Sequence, residues 1–363
     1  MMTEERIWPD IAIPPGETLA ETLNSLGISQ AELARRAGRP VQAISEIIQG
    51  KKEITPETAL ALERVLGVPA HVWIRLEADY RTVKARLADR ERLKTEVPFM
   101  KQCPYKEMVK YRWVPAVSDP IDQVRALLRF FGVASLRQVL GLHSTVAWRR
   151  SQAVAVSSCA LAAWLRQGEV QAQQIETGPF DAPGLMEILP TIRSFTREEP
   201  DVFLSKLEKV LAQRGIALVL VPELPKTGAH GATRWIDAKA IVQLSFRLRW
   251  ADIFWFTLFH ELAHILKHGR KELFIESGRD KEDEREHEAD AFATKHMIPD
   301  LAYKTFINER TIFSAAAVEA FANEVGIHPG IVVGRLHHDD RMPRSHLNDL
   351  RVQYQWAKEP AGT

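Results

Sequence analysis

The stretch FWFTLFHELAHILKHG at residues 254–269 constrains this chain more than any other feature. Phe254, Trp255, Leu258, Phe259, Leu262, Ile265 and Leu266 clothe a helix in apolar groups and leave only the face of His260 and His264 polar. Such a helix belongs inside a core. The two histidines lie four residues apart, so their rings project from the same face. Unpaired imidazoles in an apolar setting carry a desolvation cost on the order of a few kcal/mol, which a bound cation relieves. The spacing lets both rings hold one tetrahedral Zn²⁺. Glu261 sits beside them as the expected general base, placed to take a proton from a water that the metal has made acidic near neutral pH.

A zinc hydrolase of this kind draws a third protein ligand from a later helix, as His₂Glu. EREHEADAFATKHMIP at residues 284–299 reads as that helix, ended by Pro299. Glu288 is the expected ligand: Ala289, Phe292 and Ala293 mark its neighbourhood as buried, whereas Glu282, Asp283 and Glu284 read as solvated. Glu284, one turn earlier, is the alternative, and His287 reads as a surface residue. Asp290 is placed to orient a ligating histidine. His268 lies one turn past His264, but three histidines in line cannot all reach one tetrahedral ion, and a supporting or substrate role is the lesser alternative for it. His337, His338 and His346 read as solvated, with His346 a candidate transition-state stabiliser.

Ahead of the histidine helix the apolar period shortens. GIALVLVP (215–222), GATRWI (231–236) and AIVQLSF (240–246) are rich in β-branched residues and bounded by Gly or Pro, as strands of a small sheet are. From 121 to 214 the pattern is helical, with stripes at Leu127, Leu128 and Phe131 and at ALAAWL (160–165), and it holds no chemical motif.

The N-terminal region carries a different kind of signal. Leu19, Leu23 and Leu26 define a helix that Gly27 stops, and Ser29 with Glu32 forms a capping box for the next. Gly38 ends that one, Pro40 opens a third with Ile44, Ile47 and Ile48 inward, Gly50 closes it, and Thr55 with Pro56 opens a fourth. Two helices joined by a tight glycine turn, SQAELARRAG and PVQAISEIIQGKK, have the layout of a helix-turn-helix. The third helix then presents Gln42, Ser45, Glu46 and Gln49, a polar face suited to base edges. Arg35, Arg36, Arg39, Lys51 and Lys52 flank it with charges that would meet phosphates.

Length and composition set the frame. At 363 residues the chain exceeds what one hydrophobic core usually organises. With 45% hydrophobic and 26% charged residues it reads as soluble and globular. Net charge is +1, so the basic segment at 29–52 and the acidic one at 276–290 say more than the total. MMTEERIWPD is no signal peptide and no apolar run is long enough for a bilayer, so a cytoplasmic location without membrane contact is expected. Cys103 and Cys159 are far apart and outside any CxxC pair, and they read as buried free thiols. The expected fold class is α+β, mostly α with a small β-sheet. Its expected parts are a five-helix helix-turn-helix domain (1–90), a linker (91–120), a helical middle region (121–190) and a zinc-hydrolase domain (191–363).

Two resemblances sharpen these expectations. The run from IPPGETLAETLNSLGISQAELARRAG through ITPETALALERVLGVPAHVWIRLEADY resembles the HigA-type antitoxins of the XRE helix-turn-helix family over about 70 residues, the size of a small domain. It implies a homodimeric repressor on palindromic double-stranded operator DNA, in a toxin–antitoxin operon, with DNA-facing positions at Gln30, Arg39, Gln42, Ala43, Ser45 and Lys51. FWFTLFHELAHILKHG and EREHEADAFATKHMIP together resemble the ImmA/IrrE-type metallopeptidases, from roughly residue 190 to 355. This implies a gluzincin-like metallopeptidase domain over 191–363, with His260, His264 and Glu288 as zinc ligands and Glu261 as base, partnered with an XRE-type repressor. HMIP stands where LLMP is common, a change expected to affect packing only.

Two functional readings follow. In one, a DNA-binding regulator or antitoxin carries a zinc-dependent endopeptidase domain that cleaves a regulatory protein, a cognate toxin or repressor. In the other, the chain only binds DNA and the metal domain is a structural or ligand-sensing module. A small-molecule metallohydrolase is a third class, disfavoured by the attached DNA reader.

Overall fold

A computed structural model describes residues 10–142, 157–245, 249–269, 273–276 and 284–354. The chain divides into two compact units, Met1–Val97 and Pro98–Thr363. No helix among the described residues is long and apolar enough to cross a membrane.

The first unit is all helical: α1 (Pro15–Leu26), α2 (Gln30–Ala37), α3 (Val41–Ile48), α4 (Pro56–Leu66) and α5 (Ala70–Lys94). The glycine punctuation works as expected, since Gly27 and Gly38 end α1 and α2 in the left-handed region at φ 65° and 61°. The capping box is half made. Ser29 Oγ accepts the Glu32 N–H at 3.2 Å, but the Glu32 carboxylate turns forward to Arg35 and Arg36 at 2.7 and 2.6 Å. Leu19, Leu33, Ile44, Leu62 and Trp73 are fully buried and form the core. At the α1–α3 crossing a Cβ on Gly16 would stand 2.3 Å from the Ile47 carbonyl oxygen. Only glycine lets these backbones approach so closely.

The second unit is built on a four-stranded mixed sheet of β1 (Ile216–Leu220), β2 (Gly231–Ile236), β3 (Lys239–Leu244) and β4 (Phe274–Glu276), in the order β1-β3-β2-β4. β1 and β3 are parallel, with Leu218 opposite Val242. β2 is antiparallel to both β3 and β4, and Thr233 faces Val242 on one side and Phe274 on the other. Three strands match the sequence reading; β4 does not announce itself in three residues. Strand side chains alternate between faces, and both faces are covered. Ile216, Leu218, Ala240, Val242 and Leu244 pack with the histidine helix, while Ala217, Val219, Ile241 and Ile275 pack with Leu161, Trp164 and Leu165.

Ahead of the sheet run α6 (Val97–Met100), α7 (Tyr105–Lys110), α8 (Pro120–Phe131), α9 (Leu136–Leu142), α10 (Ser158–Gln173), α11 (Ala182–Ser194) and α12 (Pro200–Gln213). α10 covers one sheet face, so part of the stretch without a chemical motif forms a layer of the fold. Lys239 Nζ donates to the Ala172 carbonyl at 3.1 Å near the end of α10, and Gln243 Nε2 donates to the Trp164 carbonyl at 2.7 Å. Residues 91–120, read as a linker, contain the division between the two units at Val97 and Pro98; within them α5 runs to Lys94, Met100, Tyr105, Met108 and Val114 are buried, and Tyr105 donates to the Pro115 carbonyl at 2.7 Å. One expectation is corrected here. Cys103 and Cys159 are not free thiols but a disulfide, because packing at the start of α10 brings their Cα atoms to 5.1 Å across 56 residues of sequence.

After the sheet come α13 (Ala251–Lys267), α14 (Glu284–Met297), α15 (Asp300–Asn308), α16 (Ala315–Val325) and α17 (Pro329–His338). The chain's later residues fix the start of α13. Arg351 lies over the Trp250 ring and pairs with the half-buried Asp252 at 2.8 and 3.0 Å, and Trp255 Nε1 donates to Tyr354 Oη at 2.9 Å. Burial pushes the Asp252 carboxyl above the usual range, with Arg351 opposing.

Candidate functional site

α13 carries the chemistry because it is buried on nearly every side: His260 and Glu261 are 0% exposed and His264 2%. Nε2 of His260 and Nε2 of His264 face each other at 3.0 Å. Glu286, in the first turn of α14, faces both rings, with Oε2 at 3.1 Å from His260 Nε2 and Oε1 at 3.7 Å from His264 Nε2. Burial raises the Glu286 carboxyl, but its hydrogen bonds to the two imidazoles outweigh this and hold it at about 2. Burial likewise pushes His264 below the ordinary histidine range, against the pull of Glu286.

The residues fit a zinc ion. His260 Nδ1 lies 2.9 Å from Asp290 Oδ1, and an ionised carboxylate only accepts, so the ring proton sits on Nδ1 and Nε2 keeps a lone pair. That lone pair points at His264 and Glu286, whose ligand atoms all lie within 4.8 Å of one another. Ligand atoms on a tetrahedral zinc with bonds of about 2.0–2.1 Å stand roughly 3.3 Å apart. The 3.0 Å between the two histidine nitrogens and the 3.1 Å from His260 Nε2 to Glu286 Oε2 lie just under that value.

Glu288, the expected third ligand, is not brought to the two facing nitrogens: its side chain is 48% exposed and pairs with Lys267 at 2.6 Å and His268 at 3.3 Å. Helical phase accounts for the placement: at 100° per residue Glu286 lies about 20° from Ala293, whereas Glu288 is turned by about 140°. Ala289 and Ala293 are the fully buried residues of α14, and Glu286 shares their side. Asp290, four residues after Glu286, also pointed to that face.

Two residues on β2 complete the surroundings of Glu261, and sequence reasoning identified neither. Thr233 Oγ1 donates to Glu261 Oε2 at 2.5 Å, and a Cβ on Gly231 would stand 2.5 Å from Glu261 Oε1. The strand thus presses on the carboxylate, orients it, and needs a glycine to do so. One turn back along α13, Phe256 stands 6.3 Å from the His260 ring and lines an apolar cavity of about 150 Å³ with Ile253, Met297, Ile331 and His338. His346 is exposed beside Ser345. His337 is buried rather than solvated, and its Nε2 donates to the His346 carbonyl at 2.9 Å.

On the first unit, Gln42 on α3 and Gln49 at its C-cap are exposed, with Ser45 and Ala43 half-buried beside them. Gln42 Nε2 donates to Glu46 at 2.9 Å and Gln49 Nε2 to Ser45 at 3.1 Å. Gln30 opens α2, Arg39 sits in the turn before α3, and Lys51 follows α3, so the six expected positions cluster around these two helices. The hydrogen bonds from Arg35 and Arg36 hold the Glu32 carboxyl down at about 2.

Known proteins divide along the same lines. A helix-turn-helix family model matches residues 19–73, and the model of the IrrE N-terminal-like domain, a peptidase family, matches residues 251–337. The chain is 31% identical over 71 residues to the uncharacterized HTH-type transcriptional regulator YddM of Escherichia coli strain K12, covering 20% of this chain and 76% of that protein. It is 33% identical over 88 residues to virulence-associated protein I of Dichelobacter nodosus, covering 24% and 81%. Among solved structures, the Pseudomonas aeruginosa antitoxin HigA with higBA promoter matches at 29% identity over 24% of this chain and 95% of that one, with a TM-score of 0.23. The chain therefore belongs to the XRE-type helix-turn-helix DNA-binding regulators and carries, behind that reader, an ImmA/IrrE-type peptidase-family domain.

Proposed function

We propose that this protein is a cytoplasmic regulator that binds palindromic operator DNA as a homodimer and hydrolyses a regulatory protein partner, a cognate toxin or repressor, with a zinc-dependent endopeptidase centre. The observation that carries the reading is the convergence of His260 Nε2, His264 Nε2 and a Glu286 oxygen within 4.8 Å, beside the buried Glu261. Zn²⁺ held by His260, His264 and Glu286 would supply Lewis acidity, which acidifies water and polarises a peptide carbonyl. Glu261 is the general base: its carboxylate takes the proton of the attacking water and passes it to the departing amine. Thr233 aims that carboxylate by donating to Oε2. Asp290 holds the His260 ring with its proton on Nδ1. The cavity beside Phe256 would take an apolar substrate side chain next to the scissile bond. On the first unit, Gln30, Arg39, Gln42, Ala43, Ser45 and Lys51 would meet the DNA, Gln42 by pairing with adenine.

Elemental analysis of the purified chain tests the centre. One zinc per chain is expected in the wild type, and Glu286→Ala should lose it. Stoichiometric, tightly held zinc in Glu286→Ala would overturn the ligand set.

A further inference from the structure

The two ligating histidines are braced differently. His260 has the Asp290 carboxylate on its Nδ1, but His264 Nδ1 lies 2.8 Å from Nδ1 of another histidine, His268. His268 reaches it because α13 has already ended: it is the residue after Lys267, with extended backbone at φ −109° and ψ 162°, so its ring folds back instead of following the helix face. Its side chain is 5% exposed, and its Nε2 stands 3.3 Å from Glu288 Oε2. Lys267 holds the other Glu288 oxygen at 2.6 Å. Phe274 of β4 stacks on the His264 ring at 4.2 Å and lies 5.2 Å from that of His268, which fixes both planes.

We propose that His268 and Glu288 form a two-residue relay that positions His264 as a metal ligand. The protons follow from the donor inventory. Glu288 only accepts, so His268 carries its proton on Nε2 and offers Nδ1 as an acceptor. His264 then donates from Nδ1, which leaves its Nε2 lone pair pointing at His260 and Glu286. A hydrogen bond accepted from the far nitrogen of a ligating imidazole fixes its tautomer and raises its basicity, and removing such a partner typically costs about 10–100-fold in metal affinity. The relay gives Glu288 and His268 a shared task outside the coordination sphere. It rests on the zinc reading above.

The test is the Zn²⁺ dissociation constant of the full-length chain, measured by competition with a chromophoric chelator, together with the visible spectrum of the Co²⁺-substituted protein. His268→Phe keeps a ring against Phe274 but removes the acceptor, and should weaken zinc by roughly 10–100-fold and shift the Co²⁺ bands. His268→Asn places an amide oxygen where Nδ1 stood and should recover most of the affinity and the wild-type spectrum. Glu288→Ala should weaken zinc by less than His268→Phe. If His268→Phe binds zinc like the wild type, or if Phe and Asn weaken it equally, the relay is wrong while the zinc centre stands. A wild-type chain that fails to compete with the chelator at all would instead sink the zinc reading itself.

Discussion

Replacing Gly231 by alanine inserts one methyl group at the point where β2 presses on the Glu261 carboxylate. The new Cβ would stand 2.5 Å from Glu261 Oε1, 2.7 Å from Thr257 Cγ2 and 3.0 Å from Glu261 Cγ, against an ordinary contact of about 3.5–4.0 Å between carbon atoms. Something must therefore move by about 1 Å. Thr257 and Glu261 both belong to the buried α13, so the displacement falls on the Glu261 side chain or on the β2–α13 spacing. Overpacking of this kind costs about 1–3 kcal/mol. A shift of about 1 Å in a reacting group can cost around a hundredfold in rate. The histidine rings are not among the clashing atoms, so zinc content should stay at the wild-type value. Urea denaturation of the second unit, zinc analysis and cleavage rate measured on one preparation check all three. Full stability and full rate in Gly231→Ala would refute the view that β2 seats Glu261.

Three further outcomes are expected. Without reductant, Cys103 and Cys159 should resist alkylation in the folded and the urea-unfolded chain, and reduction should lower the stability of the second unit by up to about 4 kcal/mol for a loop of this length; two alkylated thiols in the unreduced chain would contradict the pairing. His328 caps α17 by accepting the Gly330 N–H at 3.0 Å, and burial, with help from Arg197, pushes its imidazole below the ordinary histidine range. The unfolded chain takes up that proton first, so this contribution is complete above about pH 6.5 and is lost as pH falls through the lower folded value, at no more than about 1.4 kcal/mol per pH unit; His328→Asn, which caps without titrating, should flatten that part of the profile in urea melts. Gln42→Ala should relax operator sequence preference by about 1–3 kcal/mol while leaving the salt dependence of binding unchanged; a change in salt slope with intact specificity would move Gln42 from base to phosphate contact.

Much of the architecture was legible because local rules and tertiary demands agree. Gly27, Gly38, Ser29 and Pro56 mark helix ends by their own backbone chemistry, and the apolar coat of α13 can be satisfied only in a core. The pair His260 and His264 is likewise local, since four residues of helix decide which way both rings point. Glu286 was missed for want of helical phase, although Ala289, Asp290 and Ala293 together hold it. Thr233 and Gly231 could not be found along the chain, because their roles exist only after the sheet lies against α13. The same holds for α10, which looks featureless in sequence and covers a sheet face in the fold. The Cys103–Cys159 bond depends on a packing contact across 56 residues.

The central claim is that the buried centre on α13 performs hydrolysis, and Glu261→Gln tests it most directly. The substitution keeps the side chain's size and its contact with Thr233 but removes the base, so zinc content and operator binding should match the wild type. New amino termini generated in host-cell lysate, counted by mass spectrometry, are the measurement. The zinc-loaded wild type should create a defined set, and Glu261→Gln should create them about a hundredfold to ten-thousandfold more slowly. Identical termini from both proteins at the same rate, or none from either, would mean that the zinc domain is a scaffold for a DNA-binding regulator and not an enzyme.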